Sequence, residues 1–117
     1  MSFGFKHGIP NDADFVYDVR FLPNPFYIPE LKNLTGLDSP VSDYVMQFDE
    51  AKKYEDLLKQ QIDFTIPLCQ KEGRSQLIIA FGCTGGHHRS VTFAHAFYNH
   101  LIRNGYSASV SHRDILK

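Results

Sequence analysis

Gln76-Leu77-Ile78-Ile79-Ala80-Phe81-Gly82-Cys83-Thr84-Gly85-Gly86-His87-His88-Arg89-Ser90 is the stretch whose reading decides the fold. Residues 76–81 form an apolar run with turn residues on both sides, the pattern of a strand covered on both faces and therefore central in its sheet. Residues 82–90 then make a glycine-containing loop, and Val91, Ala94, Phe97, Tyr98, Leu101 and Ile102 follow at helical spacing. Asn104-Gly105 closes that helix, and residues 106–112 alternate like a last strand. The sequence thus predicts a βαβ unit over 82–111 with a right-handed crossover.

Working back towards the N-terminus, residues 14–19 are short and β-prone and are stopped by Pro23-Asn24-Pro25. Residues 23–40 hold four of the six prolines and read as an irregular segment anchored by Leu31, Leu34 and Leu37. At Asp38-Ser39-Pro40 a helix begins, with a capping residue followed by proline in the first turn. Val41, Tyr44, Val45, Phe48, Ala51, Leu58 and Ile62 keep close to a 3.6 period, giving one long amphipathic helix or two abutting ones that Pro67 should kink or end. The mixed charges on the other faces are those of a solvated surface. Strand, helix, central strand, glycine loop, helix and strand make an α/β domain, a small central sheet flanked by helices. At 117 residues the chain holds one domain, and Leu, Ile, Val and Phe account for 34 of them, enough to build a core.

A glycine turn between a buried strand and a helix suits an anion. Its N–H groups converge, the helix start adds partial positive charge, and glycine lets the ligand approach the backbone. Thr84 and Ser90 add hydroxyls, His87 and His88 add donors, and Arg89 offers a planar fork, so Cys83, Thr84, Gly85, Gly86, His88, Arg89 and Ser90 are the candidate ligand-binding residues. No Gly-Lys-Ser/Thr occurs, so the loop is not a Walker A motif. The spacing Cys83-x-x-Gly86-x-x-Arg89-Ser90 also resembles the phosphate loop of cysteine-dependent phosphatases. A thiolate mechanism on Cys83 and Arg89 would require a general acid, for which Asp12, Asp14 or Asp18 would have to be brought to the loop.

Charge is uneven along the chain. Residues 1–66 carry 11 acidic and 6 basic side chains, whereas residues 67–117 carry 2 and 6 together with five of the six histidines. An anion site should draw on the second half, and a net charge of −1 supplies no global field for nucleic acid. Cys69 and Cys83 have neither a disulfide framework nor zinc spacing, which suits a reducing, cytoplasmic setting. His95 and His100 are five apart and share no helix face, so no metal site is expected, and no motif calls for a cofactor. No apolar run approaches the ~18 residues of a membrane span. Ten Phe and six Tyr leave room for a self-association surface, and a homo-oligomer is expected.

Asp18 and Arg20 alternate on one face at a strand end, as a functional or a structural ion pair. Asn24, between two prolines, is a ligand group or a turn former. His112 and Arg113, at the end of the last expected strand, could contact an anion or RNA.

Several runs together resemble the C-terminal domain of the RapZ/YvcJ family, and the resemblance covers essentially the whole chain. They are Ser2-Phe3-Gly4-Phe5-Lys6, Gly8-Ile9-Pro10, Asp12-Ala13-Asp14, Asp18-Val19-Arg20-Phe21-Leu22-Pro23-Asn24-Pro25, Leu34-Thr35-Gly36-Leu37-Asp38, Gly82-Cys83-Thr84-Gly85-Gly86, His88-Arg89-Ser90-Val91 and Ser111-His112-Arg113. The resemblance implies a fold like a sugar-phosphate-binding subdomain of phosphofructokinase. It also implies a sensing and adapter role, in which the domain binds glucosamine-6-phosphate and delivers a small regulatory RNA to an endoribonuclease. The pocket carried over comprises Cys83, Thr84, Gly85, His88 and Arg89, approached by Asp18, Arg20 and Asn24. Full-length members place a P-loop nucleotide-binding domain ahead of this one, and the chain is expected to correspond to the C-terminal half alone. The enteric branch has a histidine after Asn-Pro where this chain has Phe26, a departure that bears on amino-sugar recognition and leaves phosphate binding untouched. That branch also ends in a basic cluster where this chain ends Arg113-Asp114-Ile115-Leu116-Lys117, which weakens the expectation of RNA binding.

Overall fold

In a computed structural model that describes residues 1–117, three short strands make one parallel sheet: β1 (Ser2–Gly4), β2 (Phe15–Asp18) and β3 (Ile79–Cys83), in the order β1-β3-β2. Pairing aligns Ser2 with Phe81 and Tyr17 with Phe81, so the expected central strand is central. It begins three residues later than the apolar run, because β2 pairing starts at Phe15 and Asp14 takes the Ile78 N–H on its carboxylate at 2.7 Å. Side chains alternate between the faces of β3. Phe81 and Cys83 join the main core on one face, and on the other the ring of Phe3 fills the space a side chain at Gly82 would need.

Three helices cover the core face: α1 (Ser39–Met46), α2 (Asp49–Lys71) and α3 (Arg89–Arg103). Their buried residues recur every three to four positions, Val41 and Val45, then Leu58, Ile62 and Ile66, then Phe93 and Phe97, and they close on Val19, Phe81 and Cys83. Phe81 and Phe97 lie 4.8 Å apart between centroids. The amphipathic pattern over 41–62 resolves into two helices with a break at Gln47-Phe48, and Asp38 precedes α1 with Pro40 in its first turn.

Three expectations need correction. Pro67 does not end the helix, which runs on to Lys71. The ring removes a single N–H, Ile62 and Ile66 pin the helix to the core just before it, and Glu72 N–H to Leu68 O closes the end at 3.2 Å. Leu37 is exposed and anchors nothing, unlike Leu31 and Leu34. Residues 106–112 do not form a strand and touch the sheet only through one parallel bridge, Ser2 to His112, so no βαβ unit forms over 82–111. Their only neighbour is β1, which reaches no further back than Ser2, and the parallel crossover that does form is β2-α1-α2-β3.

The C-terminus is clamped to β1 by Asp114, whose fully buried carboxylate accepts the Gly4 N–H at 2.7 Å and pairs with Arg113 and Lys117 at 2.9 Å each. Burial pushes this carboxyl up, but the Arg113 guanidinium, the Gly4 N–H and the Lys117 ammonium together hold it well below the usual carboxylate range. A depressed carboxyl stabilises the fold above the unfolded value of about 3.9 and loses that contribution as pH falls below it. Asp114→Asn is expected to cost about 3 kcal/mol in urea unfolding at pH 7. The gap from wild type should narrow below pH ~4; a gap that is the same in neutral and acid solution contradicts this role.

Candidate functional site

The loop between β3 and α3 is held from behind by its carbonyls. Thr84 O accepts the Lys6 N–H at 3.2 Å, His87 O the Gly36 N–H at 2.8 Å, and His88 O the Thr92 N–H at 3.0 Å. Its donors are treated differently. No backbone N–H from residue 84 to residue 91 donates a hydrogen bond within the chain. The last three belong to the first turn of α3, where helix geometry supplies no acceptor. Gly86 has φ +83° and packs so closely on β1 that a Cβ there would meet Gly4 N at 2.7 Å and Asp114 Cβ at 2.9 Å. Gly85 faces the opposite way, and a Cβ there would find nothing nearer than Lys6 Cε at 4.0 Å.

The open side of Gly85 is a cleft of about 270 Å³. Thr84, Gly85, His87 and Arg89 line one side, Asn24, Phe26 and Tyr27 the other, with Lys6 at the edge and no carboxylate among the lining residues. The far wall exists because Asn24 Oδ1 accepts the Phe26 N–H at 3.1 Å and starts the short 3-10 turn Pro25–Tyr27, leaving both aromatic rings exposed.

Arg89 fixes the cleft. It is 4% exposed, and its Nη1 donates to Arg20 O at 2.6 Å and to Leu22 O at 2.9 Å while Nη2 approaches Thr84 Oγ1 at 3.5 Å. The Nε has no partner. Burial lowers the affinity of Arg89 for its proton, and the neighbouring Cys83 and Asp18 partly restore it. Cys83 Sγ donates to Ser90 Oγ at 3.1 Å, both groups being buried at the base of the loop. His88 is also buried, and desolvation lowers its pKa despite the nearby carbonyls of Leu34 and Lys32, so at neutral pH the ring is uncharged.

The family model described as the RapZ C-terminal domain matches residues 1–116. The chain belongs to that family. Among curated relatives, a nucleotide-binding protein of Clostridium kluyveri is 58% identical over 98% of this chain and 39% of its own length. One of Bacillus cytotoxicus is 59% identical over the whole chain and 40% of its own length, and one of Clostridium acetobutylicum is 56% identical over 98% and 39%. The chain thus spans about two-fifths of the length of the relatives it matches.

In this RapZ C-terminal domain the residues singled out in the sequence fall into three groups. Cys83, Thr84, Gly85, His88, Arg89 and Asn24 line the cleft, with Gly86 and Ser90 packed behind it. Asp18 and Arg20 stand beside it as an ion pair of 2.7 Å, joined to the loop through Arg20 O, and the Arg20 guanidinium stacks 3.7 Å above the Phe5 ring. His112 and Arg113 do not line the cleft: His112 Nδ1 meets Ser2 Oγ at 2.7 Å, and Arg113 bridges Asp114 to the carbonyls of His7 and Gly8. Phe26, noted in the sequence as a departure that bears on sugar recognition, also lines the cleft, together with Lys6 and Tyr27, which the sequence reading did not select.

None of the three aspartates considered as proton donor for a phosphatase mechanism on Cys83 and Arg89 lines the cleft. The hydrogen bonds from Arg20 hold the Asp18 carboxyl below its usual range, so it stays ionised. Asp14 is committed to Ile78 N–H and Arg74, and Asp12 lines a different groove. For Arg89, removal of the guanidinium leaves two carbonyls without their charged donor, so Arg89→Ala is expected to lower stability by about 3 kcal/mol in urea unfolding. A change within about 0.5 kcal/mol, typical of an uninvolved surface residue, contradicts this assignment.

Proposed function

We propose that this domain is a sensor that seats the phosphate of a small metabolite on the 83–90 loop and passes its occupancy to a partner. The observation that carries the reading is the run of eight successive backbone N–H groups, residues 84–91, with no acceptor in the chain, beside a glycine that opens onto the cleft. Convergent N–H groups at a helix start bind phosphate without a cationic side chain, and Lys6 and Arg89 add charge. The lining without a carboxylate is matched to an anion.

A hexosamine phosphate such as glucosamine-6-phosphate, or the phosphate end of a nucleotide sugar, has the charge for this cleft. The relatives, of whose length this chain spans about two-fifths, are named nucleotide-binding proteins. The partner we propose is that of a regulatory adapter, a small RNA and an endoribonuclease in the cytoplasm, with the domain acting as a homo-oligomer. Arg113 and Lys117 both engage Asp114, so an RNA contact by them would compete with the C-terminal clamp.

Gly85→Ala separates binding from folding, because its Cβ enters open space on the ligand side. In calorimetry with glucosamine-6-phosphate, UDP-GlcNAc and inorganic phosphate, at least one ligand should bind wild type. Gly85→Ala should weaken it tenfold or more with the unfolding midpoint unchanged. Absence of binding by all three, or equal binding by the variant, contradicts the proposal.

A further inference from the structure

A groove of about 740 Å³ opens on the side of the molecule where β1 begins. One wall is the backbone leading into β3, Leu77 to Ile79, and the other is the extended segment 107–111. Ala94, Phe97 and Leu101 of α3 and Ile66 of α2 also line it. Both walls present backbone in an extended course, the first running into β3. Ile79 N–H and its odd-numbered neighbours point to the β1 side of β3, since Phe81 N–H already donates to Met1 O at 2.9 Å and parallel ladders alternate. On the other wall no backbone N–H from residue 107 to residue 112 donates within the chain. The segment nevertheless keeps strand alternation, with Ala108, Val110 and His112 half-buried and Ser107, Ser109 and Ser111 exposed.

The two edges are already in register. Ser2 N–H donates to Ser111 O at 3.0 Å and Arg113 N–H to Ser2 O at 3.1 Å, the two bonds of the single parallel bridge between β1 and the C-terminal segment. On the other side the Met1 nitrogen donates to Ile79 O at 2.6 Å, the bond a ladder N–H makes at that position. Continuing both ladders backwards, the residue directly before Met1 would donate to Ser109 O and accept from Ser111 N–H. The residue before that would donate to Leu77 O and accept from Ile79 N–H.

We infer that the groove is a strand slot, filled in a longer chain by about four residues directly ahead of Met1 that run parallel to β3 and complete a four-stranded sheet. The relatives being two and a half times longer, as the two-fifths coverage implies, gives such a segment a source. Side-chain alternation sets its chemistry: the residues one and three places ahead of Met1 share the Ser2 and Phe81 face, towards Phe97 and Leu101, and are apolar. The slot also accounts for why residues 106–112 have the pattern of a strand without the pairing of one.

The test compares the 117-residue chain with two versions carrying four extra N-terminal residues, Thr-Val-Thr-Val, which presents valines to α3, and Thr-Pro-Thr-Pro, which cannot donate to Ser107 O or Ser109 O. Amide exchange at Ile79, Ser109 and Ser111 should slow tenfold or more in the valine version only, with a higher unfolding midpoint. Equal exchange in both extended chains overturns the proposal. So does protection that appears in the unextended chain and grows with protein concentration, because a second copy would then occupy the slot.

Discussion

The Gly4 backbone lies against Gly85 and Gly86, too close for a side chain on Gly4 or Gly86, and the rest of the site follows from that contact. A buried carboxylate holds it in place: Asp114 accepts the Gly4 N–H while Arg113 and Lys117 keep it ionised. Since Gly4 ends β1, and β1 is hydrogen-bonded to β3, the strand that launches the loop and the strand that backs it are fixed relative to each other. The carbonyls of Thr84, His87 and His88 are then taken up by neighbouring N–H groups, and the loop's own N–H groups are left without an acceptor in the chain. A loop without that backing could turn its peptides and satisfy its donors internally.

Arg89 does the equivalent work from the other side. The spacing from Cys83 to Arg89 looks like a clamp on a ligand, but Nη1 of the guanidinium goes to main-chain oxygens of residues 20 and 22. Those bonds bring the 20–27 segment, with Asn24, Phe26 and Tyr27, up to the glycine loop and so create the second wall of the cleft. The positive charge still bears on the cleft, because Arg89 lines it. Electrostatics and architecture are served by one buried side chain, and the cleft needs few other cations.

Much of this was legible in the residues. The run 76–90 announced a central strand, a glycine loop and a helix, and each is present, because apolar continuity, glycine and helical spacing act locally. What was not legible depends on distant partners. Ser2-Phe3-Gly4 is too short to show a period, and only its pairing with β3 makes it a strand. Residues 106–112 have the period of a strand, but pairing is a property of two segments. Asp114, beside His112 and Arg113, carried no local sign that it would be buried under Gly4. Lys6, Phe26 and Tyr27 reach the cleft from remote segments, and no spacing rule relates them to residue 83.

The central claim is that unpaired backbone donors of the 83–90 loop form the ligand site. It is tested most directly by following every backbone amide of the chain by NMR as inorganic phosphate, and then glucosamine-6-phosphate, is added. The account predicts saturable shifts concentrated in residues 84–91, with smaller ones at Lys6 and in residues 24–27. Shifts confined to residues 107–113, or no saturable change in the loop with either ligand, would contradict it.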